Sequence, residues 1–109
     1  MGTFHLSSAL KLTTLAQQTQ WIKDHAAIAK KVGKPSIFEA YLDGSTSARR
    51  SWQDTALALR NDGLAGDFIW QWGEKGLVSG TTPSDSNTVF YGSSEWQTLI
   101  KEHAAEANA

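Results

Sequence analysis

Apolar residues form short runs followed by helically spaced positions, and this pattern occurs three times along the chain. The first unit opens with an apolar run at residues 3–6 and continues with helically spaced apolar residues between 12 and 32. Such spacing predicts a helix that buries one stripe. Gly33 is expected to end this helix, and the Lys34-Pro35 pair is expected to start an extended segment.

The second unit begins with a strand predicted over residues 36–42, which are rich in β-branched and aromatic side chains. A turn cluster at 43–47 offers several N-caps for a following helix. The inner face of that helix is marked by Trp52, Ala56 and Leu59. This unit therefore repeats the strand-then-helix order of the first.

The third unit begins with a strand predicted over residues 67–72. A long polar loop rich in Gly, Ser and Thr covers residues 74–87. Residues 88–91 are expected to form a short extended piece, after which Ser93 or Ser94 caps a last helix.

Three strand–helix units predict an α/β fold with three parallel strands, right-handed crossovers and three helices. We expect a single domain over residues 1–109 with a frayed tail at 104–109. Edge strands that stay open invite pairing with another chain. The sequence therefore predicts a homo-oligomer that closes the open sheet edges.

Charge and composition argue against several classes of function. Ten Lys and Arg against eleven Asp and Glu give a net charge of −1, which disfavours nucleic acid or an anionic membrane as a partner. The absence of cysteine removes disulfides, thiolate zinc sites and a cysteine nucleophile. No apolar run approaches the roughly 18 residues of a membrane span. Because the first residues also lack signal-peptide features, a cytoplasmic or non-classically secreted location is expected.

The histidines do not indicate a metal site, and the Arg49-Arg50 pair does not indicate a binding site. No His-x-x-x-His or Glu-x-x-His pair occurs, which is the spacing that places two metal ligands on one helical face. We therefore expect no metal site and no cofactor. The Arg49-Arg50 pair is interpreted as the solvated first turn of a helix.

The chain is rich in tryptophan, with five in 109 residues. Trp21, Trp52 and Trp96 lie in helical patterns beside other apolar positions, which favours a core or a subunit interface. Trp70 and Trp72 alternate with a polar residue on the third predicted strand, so both are expected to point to the same face. There they either pack beneath a partner chain or offer a stacking platform to a ligand.

Five segments occur in an order typical of one enzyme family. They are GTFHL at 2–6, QWIKDHAA at 20–27, GKPSIFE at 33–39, GDFIWQWG at 66–73, and SEWQ through EHA from 94 to 104. Together they resemble the C-terminal part of fungal endo-β-1,4-mannanases of glycoside hydrolase family five. The resemblance implies three βα units of an eight-fold βα barrel, a retaining glycosidase ancestor and a family that is typically secreted. A full barrel needs about 250 residues, so the matched region is only part of one.

The resemblance also implies that the catalytic centre is incomplete in this chain. Retaining hydrolysis needs an acid/base and a nucleophile, two carboxyl groups about 5 Å apart. The acid/base of the family lies on a strand outside the matched region. Its nucleophile is the second of two adjacent glutamates, whose positions are occupied here by Glu39 and Ala40. Glu39 is a weak substitute, since adjacent strand residues point to opposite faces.

Of the other active-site residues that the family carries, this chain retains some and replaces others. The family has His-x-Tyr where this chain has His5 and Ser7, so the tyrosine that supports the nucleophile is replaced. Trp70 matches the tryptophan that stacks on the sugar ring. Glu39 and Asp43, near a strand end, are further candidates for contacts with a sugar hydroxyl or a cation. The implied sugar-binding set is His5, Ser7, Glu39, Asp43, Trp70 and Trp72.

Three functions remain open at this point. The first is a non-catalytic, lectin-like carbohydrate-binding or interaction protein that uses Trp70, Trp72 and the loop 74–87, with a mannose-type oligosaccharide as ligand. The second is a residual glycoside hydrolase acting on β-mannan through Glu39 with Asp43 or Asp67. The third is an oligomeric structural or signalling protein with no sugar ligand. The loss of the nucleophile at Ala40 weighs against an enzyme.

Overall fold

A three-stranded parallel sheet forms the centre of the computed structural model, which describes residues 2–7, 10–40, 45–76, 80 and 88–108. Its strands are β1 (Gly2–Leu6), β2 (Ser36–Ala40) and β3 (Leu64–Ile69), in the spatial order β1-β2-β3. Both neighbouring pairs are parallel. The predicted α/β class with three parallel strands is confirmed.

Helix α1 (Leu15–Val32) follows β1 and covers the sheet. It begins at Thr14, whose side chain accepts from the backbone N–H of Gln17 while the Gln17 side chain accepts from Thr14, which is a capping box. It ends at Gly33, which has a φ of 73°. A left-handed glycine satisfies the last carbonyls of a helix, as the sequence predicted for this position.

Two further helical segments complete the layer. Helix α2 (Thr46–Ala58) is capped by Ser45, and the last segment is capped by Ser93. That last segment consists of α3 (Ser94–Trp96), a π-helical stretch (Gln97–Glu102) and α4 (His103–Ala107), and we call the whole the C-terminal helix. The predicted third helix is thus present, and fraying of residues 104–109 stays a prediction.

The core lies between one face of the sheet and helices α1 and α2. The strands contribute large apolar side chains from that face, which we call the helix face, and the helices contribute alanines, an isoleucine and a tryptophan. The buried members are Leu6, Ile22, Ala26, Phe38, Trp52, Ala56 and Leu64. Trp52 is confirmed as a core residue, while Trp21 and Trp96 are only partly buried.

The interpretation of Arg49-Arg50 as a solvated first turn is wrong. The Arg49 side chain is 3% exposed, and its Nη1 lies 3.2 Å from the Glu95 carboxylate at the start of the C-terminal helix. Arg50 contacts Glu106 on the same helix. A buried guanidinium needs such a partner because its desolvation is otherwise uncompensated. These arginines therefore fasten the C-terminal helix to α2.

The third strand differs from its prediction at both ends. It begins at Leu64 and stops at Ile69, so Trp70 and Gln71 lie outside it. The chain then forms β4 (Trp72–Gly73), which pairs in parallel with β5 (Val89–Phe90) in a separate two-stranded sheet. The backbone hydrogen bonds of this segment go to residues 88–91 instead of β2, with Val89 donating to the Gln71 carbonyl.

The boundaries predicted for the other strands agree more closely with the structure. The extended piece predicted at 88–91 corresponds to β5. The second strand, predicted over 36–42, is described as far as Ala40, and residues 41–44 lie outside the described part of the chain. Of the helices that the structure describes, none combines the length and the apolar character that crossing a bilayer requires.

Candidate functional site

The sheet face that turns away from the helices, which we call the open face, carries the candidate polar residues. His5, Glu39 and Phe68 occupy one row across β1, β2 and β3, because the register pairs His5 with Glu39 and Glu39 with Phe68. In a parallel sheet, laterally paired residues project from the same face. Phe68 is 61% exposed, which shows that this row is not covered by the helix layer.

His5 and Glu39 form a direct polar pair on this face. The Nε2 atom of His5 lies 3.2 Å from the Glu39 carboxylate, with the histidine half exposed and the glutamate mostly buried. Two of the predicted sugar-binding residues are thus brought together. The pair offers one carboxylate and one imidazole, groups that can hydrogen-bond a hydroxyl.

The remaining strand-end candidates lie beside this pair or beyond the described residues. Ala40 is the last residue of β2 and pairs with Leu6 and Ile69, so it belongs to the next row. Ser7 directly follows β1 and is half-buried. Asp43 lies outside the described residues, as does most of the loop 74–87.

Asp67 projects from the other face of the sheet. It pairs in register with Phe38, a core residue, and both of its carboxylate oxygens lie 2.9 Å from Nε2 of His103 on the C-terminal helix. Glu39 and Asp67 therefore point in opposite directions. This His–Asp pair was not predictable from the sequence, because the two residues are 36 positions apart and no local pattern joins them.

The expectation that Trp70 and Trp72 share a face of one strand is wrong, since β3 ends before both of them. Trp70 directly follows β3, whereas Trp72 belongs to β4. Trp72 instead stacks with Tyr91, with ring centroids 6.1 Å apart and planes inclined by 19°. Tyr91 in turn meets the Trp96 ring edge-on at 4.8 Å.

We call Trp72 and Tyr91 the aromatic platform. The two rings are nearly parallel and 53% and 60% exposed, and Trp96 contacts Tyr91 edge-on. Large aromatic side chains are normally buried, so two stacked exposed rings form a distinctive surface. Tyr91 is the residue of this surface that sequence reasoning missed. The one sequence feature that could have indicated Tyr91 is its position in the short extended piece predicted after the polar loop.

A groove of about 510 Å³ lies beside the aromatic platform and along β3. Its walls come from α2, the successive β3 residues 65–69, the C-terminal helix, and Trp72 of the aromatic platform. We call it the β3 groove. In the part of the chain that the structure describes, no three acidic or histidine side chains converge as metal ligands, in this groove or elsewhere.

The sequence is similar to fungal enzymes over nearly its full length. It is 36% identical to the mannan endo-1,4-β-mannosidase A of Podospora anserina, in an alignment covering 99% of this chain and 29% of that enzyme. It is 38% identical to the probable mannan endo-1,4-β-mannosidase A of Aspergillus flavus, covering 99% and 28%. For the mannan endo-1,4-β-mannosidase A of Hypocrea jecorina the identity is 38%, covering 98% and 24%.

These relatives are several times longer than the region they share with this chain, which spans less than a third of each. No protein-family model matches the chain. The alignments nevertheless run from one end of the chain to the other, so the similarity is not confined to a single motif. The resemblance drawn from the sequence is confirmed: this chain is homologous, over almost its whole length, to a region of the fungal mannan endo-1,4-β-mannosidases.

Proposed function

We propose that the chain is a non-catalytic carbohydrate-binding protein of mannanase descent, with a β-1,4-linked mannose oligosaccharide as its ligand. The observation that carries the proposal is the aromatic platform, in which Trp72 and Tyr91 expose two nearly parallel rings. The C–H faces of pyranose rings are apolar and lie flat on aromatic rings. The loss of exposed aromatic area then stabilises the complex.

Polar groups near the ends of the strands supply the complementary contacts. Trp70 follows β3 at the same strand-terminal edge of the sheet where His5 and Glu39 lie on β1 and β2. Parallel strands bring their carboxyl ends to one edge, where ligands of α/β proteins commonly bind. A sugar on Trp70 therefore has a carboxylate and an imidazole available for its hydroxyl groups.

The arrangement of carboxylates supports binding without hydrolysis. Among the described residues of β1, β2 and β3, Glu39 is the only carboxylate on the open face, because Asp67 is bound to His103 on the helix face. Retaining hydrolysis requires two carboxyl groups about 5 Å apart. Ala40 occupies the position that the family resemblance assigns to the nucleophile.

A titration with β-1,4-mannohexaose tests the proposal, with intrinsic Trp fluorescence as the signal and chromatography of the sugar afterwards. We expect saturable binding with the sugar left intact. Tyr91→Ala is expected to weaken binding at least about tenfold, which corresponds to about 1.4 kcal/mol, because half of the platform is removed. All five tryptophans remain as reporters in this variant.

Tyr91→Phe is the matched control, since it keeps the ring and removes only the hydroxyl group. Its affinity should stay close to that of the unmodified chain, and thermal melting should show that both variants remain folded. Equal affinities for Tyr91→Ala and the unmodified chain would refute the platform as the site. No spectral change at any sugar concentration would favour a protein without a sugar ligand.

Restoring the family nucleophile is expected to leave the chain inactive. Ala40→Glu places two carboxylates next to each other on β2, and adjacent strand residues point to opposite faces. The second carboxyl group therefore does not face Glu39 across a bound sugar, as retaining hydrolysis requires. Chromatography after prolonged incubation with mannohexaose checks this. Shortened sugars from Ala40→Glu, with none from the unmodified chain, would show that the rest of a catalytic site is in place.

A further inference from the structure

A short series of contacts joins the aromatic platform to helix α2. Tyr91 meets Trp96 edge-on, with ring centroids 4.8 Å apart, and Trp96 lies in the first turn of the C-terminal helix. Glu95, its neighbour in that turn, accepts a hydrogen bond of 3.2 Å from Nη1 of Arg49. Arg49 belongs to α2 and is buried. The contacts therefore lead from a buried guanidinium to an exposed ring of the platform.

The turn that carries Trp96 is held both through its backbone and through a side chain. Ser93 donates its N–H to the carbonyl of Phe90 in β5, and its hydroxyl oxygen accepts from the N–H of Trp96. The Arg49–Glu95 ion pair adds a contact to α2 on the other side of the turn. Hydrogen bonds between two charged groups are shorter and stronger than neutral ones. The ion pair thus limits how far the turn can move relative to α2.

The direction of the Tyr91 ring depends on this turn. The Tyr91 backbone is fixed by β4, because its N–H donates to the Gly73 carbonyl at 2.9 Å, but that bond leaves the side chain free to rotate. The ring contacts that the structure describes are Trp72 on its face and Trp96 at its edge. An exposed aromatic side chain exchanges rotamers quickly unless neighbours restrict it. A displaced Trp96 would therefore release one of the two restraints on the ring.

We infer that the Arg49–Glu95 pair is a positioning contact for sugar binding. It holds Trp96 in place, Trp96 keeps the Tyr91 ring nearly parallel to that of Trp72, and the charged pair acts without contact to the sugar. This inference rests on the proposed function of the platform. Rings that are oriented before binding lose less conformational freedom in the complex. Loosening the Tyr91 ring should therefore weaken binding about threefold to tenfold.

Fluorine NMR tests the orientation of the ring without any sugar. The chain has two tyrosines, Tyr41 and Tyr91, so labelling with 3-fluorotyrosine introduces only two reporter positions, and Tyr91→Phe identifies the resonance of Tyr91. Glu95→Ala removes the ion pair at a partly exposed position, where truncation leaves little buried space. In this variant the Tyr91 resonance should move toward its value in the urea-unfolded chain, because the ring no longer keeps a fixed position beside two indole rings.

Titration with β-1,4-mannohexaose tests the effect on binding. Glu95→Ala should bind about threefold to tenfold more weakly than the unmodified chain. Adding Glu95→Ala to Tyr91→Ala should cause no further loss, because the ring through which Glu95 acts is then absent. Such non-additivity is the signature of two residues that act through one another.

Arg49→Met breaks the same contact from its other side. Methionine fills much of the volume of the arginine, and the remaining Glu95 carboxylate stays in contact with water. The variant also keeps a negative charge in the first turn of the C-terminal helix, where it favours the helix by itself. Arg49→Met and Glu95→Ala should therefore shift the Tyr91 resonance alike, which attributes the effect to the ion pair.

The matched control is Glu106→Ala. It removes the contact of Arg50 with Glu106, which also joins α2 to the C-terminal helix but lies at the far end of that helix. Thermal melting shows how much each variant destabilises the fold. Whatever stability Glu106→Ala loses, its Tyr91 resonance and its affinity for mannohexaose should match those of the unmodified chain.

The possible results separate this inference from the proposed function. A Tyr91 resonance that stays in place in both Glu95→Ala and Arg49→Met would overturn the inference, whether or not the chain binds sugar. An equal shift in Glu106→Ala would also overturn it, since it would show a general loosening of the helix. Unchanged affinity of Glu95→Ala in a chain that does bind mannohexaose would overturn it as well. If the unmodified chain binds no mannohexaose, the proposed function fails, and with it the role of the pair in sugar binding.

Discussion

Replacing Trp52 with alanine is expected to lower the free energy of unfolding by about 3 to 5 kcal/mol. Trp52 is 1% exposed and is the largest fully buried side chain of the core between α1, α2 and the sheet. Its removal leaves a cavity and deprives the buried Gln18 side chain of a hydrogen-bond donor. Because small domains have only about 5 to 15 kcal/mol of stability, this change takes a large share of it. Urea unfolding followed by circular dichroism measures the loss.

Trp52→Phe separates packing from hydrogen bonding. The Trp52 Nε1–H donates to Oε1 of Gln18 at 3.0 Å, and phenylalanine keeps an aromatic ring but has no donor. An unsatisfied buried acceptor costs about 1 to 3 kcal/mol. We therefore expect Trp52→Phe to destabilise the fold clearly less than Trp52→Ala. A loss below 1 kcal/mol for Trp52→Ala would show that Trp52 is not central to the core.

Replacing Gly63 with alanine is expected to cost about 2 to 5 kcal/mol, the sum of backbone strain and overpacking. Gly63 has a φ of 111°, which L-residues rarely adopt. A Cβ there would also lie 2.1 Å from the backbone oxygen of Ala26 in α1, so the helix would have to move. The same denaturation measurement applies.

Gly33→Ala is the control for the backbone effect alone. Gly33 also has a positive φ, of 73°, but a Cβ there would meet no atom within 4 Å. Its substitution should cost only about 1 to 2 kcal/mol, the penalty for an L-residue in the left-handed region. Equal losses at the two positions would show that the close approach of Gly63 to α1 does not contribute.

The strand and helix units were largely predictable because local signals specify them. The capping sequence before α1, the glycine at its end and the apolar spacing within it act over only a few residues. The end of β3 before Trp70 was not predictable from local signals. Trp70 and Trp72 continue the alternation of a strand, but the backbone groups around them bond to residues 88–91, more than 15 positions later.

The candidate site likewise combines residues that the sequence indicated with contacts that only the fold creates. His5 and Glu39 were selected individually from the sequence, and the parallel register then sets their side chains 3.2 Å apart. The aromatic platform was not predictable from the sequence, because Trp72 and Tyr91 meet only where β4 pairs with β5. No periodicity within either segment indicates that contact.

The sequence by itself determined the α/β class, the order of three strand–helix units, and descent from a mannanase. These follow from short-range patterns and from residue identities, which need no coordinates. Only the tertiary structure decided that Arg49 is buried against Glu95, that Asp67 faces His103 instead of Glu39, and that Trp72 joins Tyr91. Each of these contacts joins residues 19 to 46 positions apart, and packing across that distance depends on how the helices and strands lie against one another.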